Sequence, residues 1–265
     1  MNTRKIPTTL IPIATVISTL VVGTTALSLS FNAHAGIATE AANCVLDKQH
    51  LSANYTLTRT FDIGRSQTKS LTLWRNANEV ALQYPQEKIT EVWTRGHDGR
   101  SRPVRYFDQY QRGIEYFPDE VKNSRSEQVW QTKYQLIDDE FRSSMALVAS
   151  TGSGCQRTET YELKKQGKIY RLVWQPQSQL VVEYREKAMS QDFVIKLQEV
   201  SQEDDKIEQF FVSRQAYQTT DYADVGDNES DPFLRKMMNL GFVSHGASGF
   251  YSADGKPLGG SGHAH

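Results

Sequence analysis

Three histidines near the end of the chain, His245, His263 and His265, are the side chains best suited to hold a metal ion. His263 and His265 stand two apart, and neutral imidazoles at that spacing can chelate Zn²⁺, Cu²⁺ or Ni²⁺. They lie in a stretch rich in Gly and Ser, where nothing fixes the ring orientation, so any affinity is expected to be modest. The acidic run Asp221, Asp224, Asp227, Glu229 and Asp231 lacks the alternate-residue order of a calcium loop. It reads instead as an acidic surface leading into a capped helix start at Asp231-Pro232. Arg95, Arg100, Arg102 and Arg105 surround Asp98-Gly99. They suit either bidentate contact with an anion or a solvated hairpin tip. No nucleophile elbow, H-E-x-x-H, P-loop or dinucleotide glycine pattern occurs. Dispersed catalytic residues escape such a search, so a hydrolase is one alternative. The reading adopted is non-enzymatic, with no cofactor.

The two cysteines, Cys44 and Cys155, bear on compartment. The first residues read as a secretory leader over 1–35. Arg4 and Lys5 give the positive start, Leu10 to Leu29 is uncharged and mostly apolar, and Ala33-His34-Ala35 is a small-x-small cleavage site. The apolar stretch is long for a leader, so a retained anchor is the alternative, disfavoured by Pro12, Gly23 and the Thr and Ser residues within it. An exported chain meets an oxidising compartment, which favours pairing the two cysteines over free thiols or a shared metal. The closed loop would hold roughly 110 residues, and restricting it in the unfolded chain is worth up to about 4–5 kcal/mol. Cleavage removes two basic residues and no acids, taking 30 basic and 31 acidic side chains to 28 and 31, a formal charge of −3. That balance argues against a nucleic-acid partner. No second apolar run reaches spanning length, so the processed chain is expected to carry no transmembrane anchor.

The elements that must position these groups are mostly strands. Leu71 and Leu73 share one face of a segment ending at Trp74; Val80, Leu82 and Tyr84 share a face of the next. Ile89 to Trp93 follows, then the hairpin signal Asp98-Gly99, then Val104 to Phe107 and Ile114 to Phe117. The period then changes. Ser124 with Glu127 fits a capping box, and Trp130, Tyr134, Ile137, Phe141, Met145 and Val148 fall at helical spacing. The pattern predicts one amphipathic helix of about six or seven turns, ended by Thr151-Gly152-Ser153-Gly154. Asp138-Asp139-Glu140 would lie on its solvated side. Strands resume over Thr158 to Lys164, Lys168 to Trp174, Leu180 to Tyr184 and Phe193 to Leu197, and a short helix is expected to start at Asp231-Pro232. The predicted organisation is a single β-rich domain over 36–240 and a flexible tail over 241–265. The fold class is mainly β (α+β): a strongly curved antiparallel sheet or half-open barrel with one long amphipathic helix on its concave face.

One helix serving so many strands suggests an apolar cavity between them. Trp130, Tyr134, Ile137, Phe141 and Met145, with Trp74, Trp93 and Trp174, are the candidates to line it. The hairpin Tyr170-Arg171-Leu172-Val173-Trp174-Gln175-Pro176, returning through Leu180-Val181-Val182-Glu183-Tyr184-Arg185, with the following strand Phe193 to Val200, resembles the LolA-like periplasmic lipoprotein-carrier superfamily, which includes RseB-type sensor domains. The match is carried mainly by residues 158–200. Val181 stands where those hairpins often have proline, and nothing in them corresponds to the chain from Asp221 onward. The resemblance implies a half-open barrel, a helix on its concave face and a cavity for acyl chains or an exposed peptide. The function expected is a periplasmic carrier or binding protein for an apolar ligand or lipoprotein, with an envelope protein as a further possible partner. The competing reading is a periplasmic metal-handling protein using the histidine tail.

Overall fold

Alternating apolar residues broken by short turns give the chain twelve strands in a computed structural model, which describes residues 45–120, 125–228 and 230–239. The first six are β1 (His50–Phe61), β2 (Ser66–Asn76), β3 (Glu79–Tyr84), β4 (Ile89–Arg95), β5 (Ser101–Phe107) and β6 (Arg112–Glu115). Two short helices follow, α1 (Glu127–Gln135) and α2 (Asp139–Ser143). Then come β7 (Ala146–Thr151), β8 (Thr158–Lys165), β9 (Lys168–Gln175), β10 (Leu180–Lys187) and β11 (Gln191–Ser201). The chain continues through α3 (Asp204–Gln215), β12 (Gln218–Asp221) and α4 (Pro232–Asn239). All strands join one unclosed sheet in the order β12-β6-β5-β4-β3-β2-β1-β11-β10-β9-β8-β7. Pairing is antiparallel except where β12 runs parallel to β6. The mainly β class and the curved open sheet match expectation. Among the described residues no helix is long and apolar enough to cross a membrane.

The two faces of the sheet are covered by different helices. Leu71, Leu73, Val80, Leu82 and Trp93 point to one face and join Trp130, Ile137 and Met145 in the main core. Side chains of opposite parity, Trp74, Ala81, Val92, Val104 and Tyr106, meet Ile207, Phe210 and Phe211 of α3 on the other. Positions 207, 210, 211 and 214 are the buried ones of α3, which is the spacing of a single helical stripe.

The single long helix predicted from Ser124 onward does not form. Ser126 caps α1, accepting from the Val129 amide at 3.4 Å. The helix stops at Leu136, whose φ of 63° turns the chain into the left-handed region. Asp138 then opens α2, accepting from the Phe141 amide at 2.7 Å, so Asp138 is a cap and not part of a solvated helix side. Val148 belongs to the edge strand β7, where the β-favouring sequence Ala-Leu-Val-Ala-Ser-Thr pairs with β8. Local strand propensity and a pairing partner overrode the helical spacing.

Arg75 ties the helix-bearing face together. It is fully buried on β2, and it donates to the carbonyls of Tyr134 (2.9 Å), Lys48 (3.0 Å), Ser178 (2.7 Å) and Gln179 (2.7 Å). Its guanidinium lies 4.0 Å from the Tyr134 ring centre, and Tyr134 donates its hydroxyl to Lys48 at 2.8 Å. Burial depresses the Arg75 pKa to about 10 against the favourable fields of Tyr134 and Tyr55. β2 and β10 lie three strand positions apart, about 14 Å in a flat sheet. A side chain on β2 reaches the β9–β10 turn because the sheet bends toward it. The face carrying α1 and α2 is therefore the concave one.

Candidate ligand-binding cleft

The concave face holds most of the residues read as a cavity lining, and it packs them closely. Trp130, Ile137, Met145, Trp93 and Trp174 are buried in one cluster, with Tyr134 and Phe141 half-buried at its margin. Trp130 stacks on Tyr134 at 5.9 Å, and Phe141 meets Tyr170 edge-on at 5.4 Å. Trp74 is the exception. It lies on the opposite face, stacked on Phe210 at 4.1 Å, because it follows Leu73 in a strand and must point the other way. Its indole also donates to Gln83 at 3.1 Å.

A buried charge cluster sits among these rings. Glu91 on β4 accepts from Arg105 on β5 at 2.8 Å and from Lys133 on α1 at 3.4 Å. Burial raises the Glu91 pKa, but Lys133 and Arg105 outweigh that and hold its carboxyl below the ordinary range. Lys133 also lies 4.7 Å from the Trp93 ring centre. The hydroxyl of Tyr55 and the indole nitrogen of Trp93 are buried without a hydrogen-bond partner among the described residues.

The four arginines around Asp98 separate. Arg105 is the buried partner of Glu91. Arg95 pairs with Glu127, Arg100 with Asp98 at 2.5 Å, and Arg102 with Glu115. Asp231 caps α4 through the Phe233 amide at 2.8 Å and pairs with Arg112 at 2.9 Å. Cys155 lies in a short turn after β7. Its expected partner Cys44, the leader 1–35, Glu229 and the histidines His245, His263 and His265 lie outside the described residues.

A second candidate region lies on the convex face. A cleft of about 750 Å³ runs between β4, β5, β6 and the end of α3. Val92, Val104, Tyr106 and Phe211 form its apolar floor, and Phe117 and Pro118 form one wall. Charged groups line the remainder: Arg100 with Asp98, Arg102 with Glu115, and the carboxylates Glu79 and Asp119. Arg102 also lies 5.7 Å from the Phe117 ring centre. Thr94 donates to Glu79 at 3.4 Å, yet burial prevails and raises the Glu79 pKa. Gly113 lies where β6 passes this wall, and a Cβ there would stand 3.0 Å from both Tyr106 and Thr219, so those side chains would have to shift. The cleft thus offers apolar contact below and charged groups of both signs around it, with carboxylates in excess, which suits an apolar group bearing a polar end.

Sequence reasoning missed α3 and with it Phe211 and Gln215. The signal was present in Asp204-Asp205 at the first turn followed by Ile207, Phe210, Phe211 and Arg214.

No family model matches the sequence, and no curated protein matches it. Among solved structures, that of PNGF-II overlaps at a TM-score of 0.36 with 7% identity, covering 64% of this chain and 31% of that one. This chain therefore spans about a third of that protein. The Pseudomonas aeruginosa MucA/MucB complex overlaps at 0.30 with 9% identity, covering 60% and 56%. A LolA superfamily protein from Nitrosomonas europaea overlaps at 0.23 with 9% identity, covering 61% and 90%. The superfamily named from the Tyr170–Arg185 hairpin is thus among the structural neighbours, and no residue role is taken from any of them.

Proposed function

We propose that this is a non-enzymatic binding protein of the cell envelope, and that an apolar ligand with a polar end occupies the cleft between the convex sheet face and α3. The observation that carries this reading is the 750 Å³ volume above Val92, Val104, Tyr106 and Phe211. Such a volume lies within the range of small-molecule sites. Export through the leader and a Cys44–Cys155 bridge belong to the same proposal.

A second reading places the ligand under the helix pair, where Trp93, Trp130 and Trp174 lie. It is favoured by the Tyr55 hydroxyl and Trp93 nitrogen, which have no hydrogen-bond partner among the described residues, and by the break at Leu136, about which α1 and α2 would part. Titration with a fluorescent fatty-acyl probe separates the two. Val104→Phe should fill the cleft and weaken uptake about tenfold, while Phe141→Leu leaves it unchanged, since burying a few methylenes at ~0.8 kcal/mol each sets that scale. The opposite pattern would move the site to the concave face. Absence of uptake by the native protein would defeat both.

A further inference from the structure

Three neighbouring hairpins, β1–β2, β10–β11 and β8–β9, turn at the same end of the sheet. Their strands lie side by side in the order β2-β1-β11-β10-β9-β8. The register places the tips level: Phe61 faces Gln191, Lys187 faces Ile169, and Lys165 faces Lys168. The Asp62 amide donates to the Ser190 carbonyl at 3.3 Å, joining the first two tips directly. Adjacent tips therefore stand about 10 Å apart along a row, two strand spacings each.

What these tips expose is unusual for turns. Ile63 is 84% exposed at the first tip and Met189 is 97% exposed at the second. Neither covers any part of the core. Cations flank them: Arg65 beside Ile63, Lys187 beside Met189, and Lys164 and Lys165 at the third tip. Those four make no ion pair among the described residues, whereas Lys168 pairs with Glu186 at 2.7 Å. Asp62 is the one tip carboxylate outside an ion pair among the described residues. This basic end belongs to a chain whose formal net charge is −1, so the asymmetry is local.

We propose that this end of the sheet docks on an anionic lipid bilayer surface, independently of what the cleft binds. A row of level turns presents a line to a plane. Its four unpaired cations would meet anionic headgroups, while the Ile63 and Met189 side chains enter the boundary beneath them. Charge complementarity selects this partner. A protein surface would need matched recesses for two isolated aliphatic side chains, whereas a fluid lipid surface accommodates them without any.

The test is co-sedimentation of the exported, processed protein with vesicles of phosphatidylglycerol and phosphatidylcholine, against vesicles of phosphatidylcholine alone. The native protein should sediment with the anionic vesicles, weakly with the neutral ones, and less in high salt. Lys165→Glu with Lys187→Glu should weaken partition by about a thousandfold, since each position loses one attraction to the headgroups and gains a repulsion of similar size. Ile63→Ser with Met189→Ser should weaken it about tenfold. Both pairs lie at exposed tips, so melting temperature and acyl-probe uptake should be unchanged. Equal partition to neutral vesicles, no partition at all, or native-like partition by both variants would each overturn the proposal.

Discussion

Replacing Arg75 with Met should cost about 3–5 kcal/mol, because the guanidinium bonds four backbone carbonyls that no substitution can remove. The figure follows from two opposing terms. Hydrogen bonds from a charged donor contribute about 1.5–3 kcal/mol each, so four give roughly 6–12. Burying the cation offsets several kcal/mol of that. Where both partners of a buried ion pair are replaced by apolar groups, stability often survives. Here the partners are the carbonyls of Tyr134, Lys48, Ser178 and Gln179. Methionine leaves those of Tyr134, Ser178 and Gln179 without the guanidinium donor, the Lys48 carbonyl keeping only the Tyr134 hydroxyl, and also removes the stack on the Tyr134 ring. Arg75→Lys keeps the charge but cannot span four acceptors or stack in a plane, so it should fall between the two.

The assay is urea unfolding followed by tryptophan fluorescence. With a slope of about 2–3 kcal/mol/M expected for this size, Arg75→Met should lower the midpoint by about 1–2 M. Native-state hydrogen exchange adds a spatial readout, in which amides of the 176–179 turn and the end of α1 lose protection before those of β3 and β4. A cost below about 1 kcal/mol, or a uniform loss of protection, would refute the idea that this residue holds the sheet's curvature.

Acid should act through Glu91. Its carboxyl is held below the ordinary range when folded, so its contribution is complete above the unfolded value, about 4.3, and is lost as pH falls through the lowered folded value. Glu91→Gln should remove that part of the acid slope in a series of urea midpoints, while costing about 3–5 kcal/mol at neutral pH as Arg105 and Lys133 lose their partner. An unchanged slope would count against it. Trp74→Ala should cost about 2–4 kcal/mol and expose α3 to hydrogen exchange while α1 stays protected; the reverse order would place Trp74 on the wrong face. Reduction should lower the melting temperature substantially if Cys44 and Cys155 are joined, by up to about 4–5 kcal/mol of stability. Two freely alkylated thiols in unreduced protein would end that expectation.

The strands were legible because their information is local. Leu71-Thr72-Leu73-Trp74 states its own alternation, and Asp98-Gly99 states its own turn. Alternation does not say which face a helix will cover, however, so Trp74 was grouped with Trp93 though a single peptide of parity separates it from Leu73. The region after Trp130 failed for a related reason. Its apolar spacing fits a helix through Val148; Asp138 is a residue type that caps helices, but Leu136, which takes the left-handed conformation that breaks the helix before it, carries no mark until the chain is folded. Local β propensity at Ala146–Thr151 prevailed once β8 was there to pair with it.

The cleft was illegible in a deeper sense. Its floor joins Val92 and Val104 from one hairpin to Phe211, more than a hundred residues later, and its wall depends on Gly113 permitting Thr219 to approach Tyr106. None of these residues has a type that announces binding. What makes them a candidate site is that α3 packs on Val92 and Tyr106 yet leaves a recess beside Phe211 and Gln215, toward the Asp98 hairpin and Phe117. The helix contributes one apolar stripe, Ile207, Phe210 and Phe211, which packs over Trp74, Ala81, Val92 and Tyr106, while Arg214 donates to Thr90 at 3.2 Å. The cleft opens from there toward Thr94, Arg100 and Arg102 at the other end of β4 and β5. A sheet of twelve strands carries more convex surface than one twelve-residue helix can bury, so the opening follows from the mismatch in extent. On the concave side the covering element is divided instead: two short helices, separated by the left-handed residue Leu136, lie over a sheet that Arg75 draws around them.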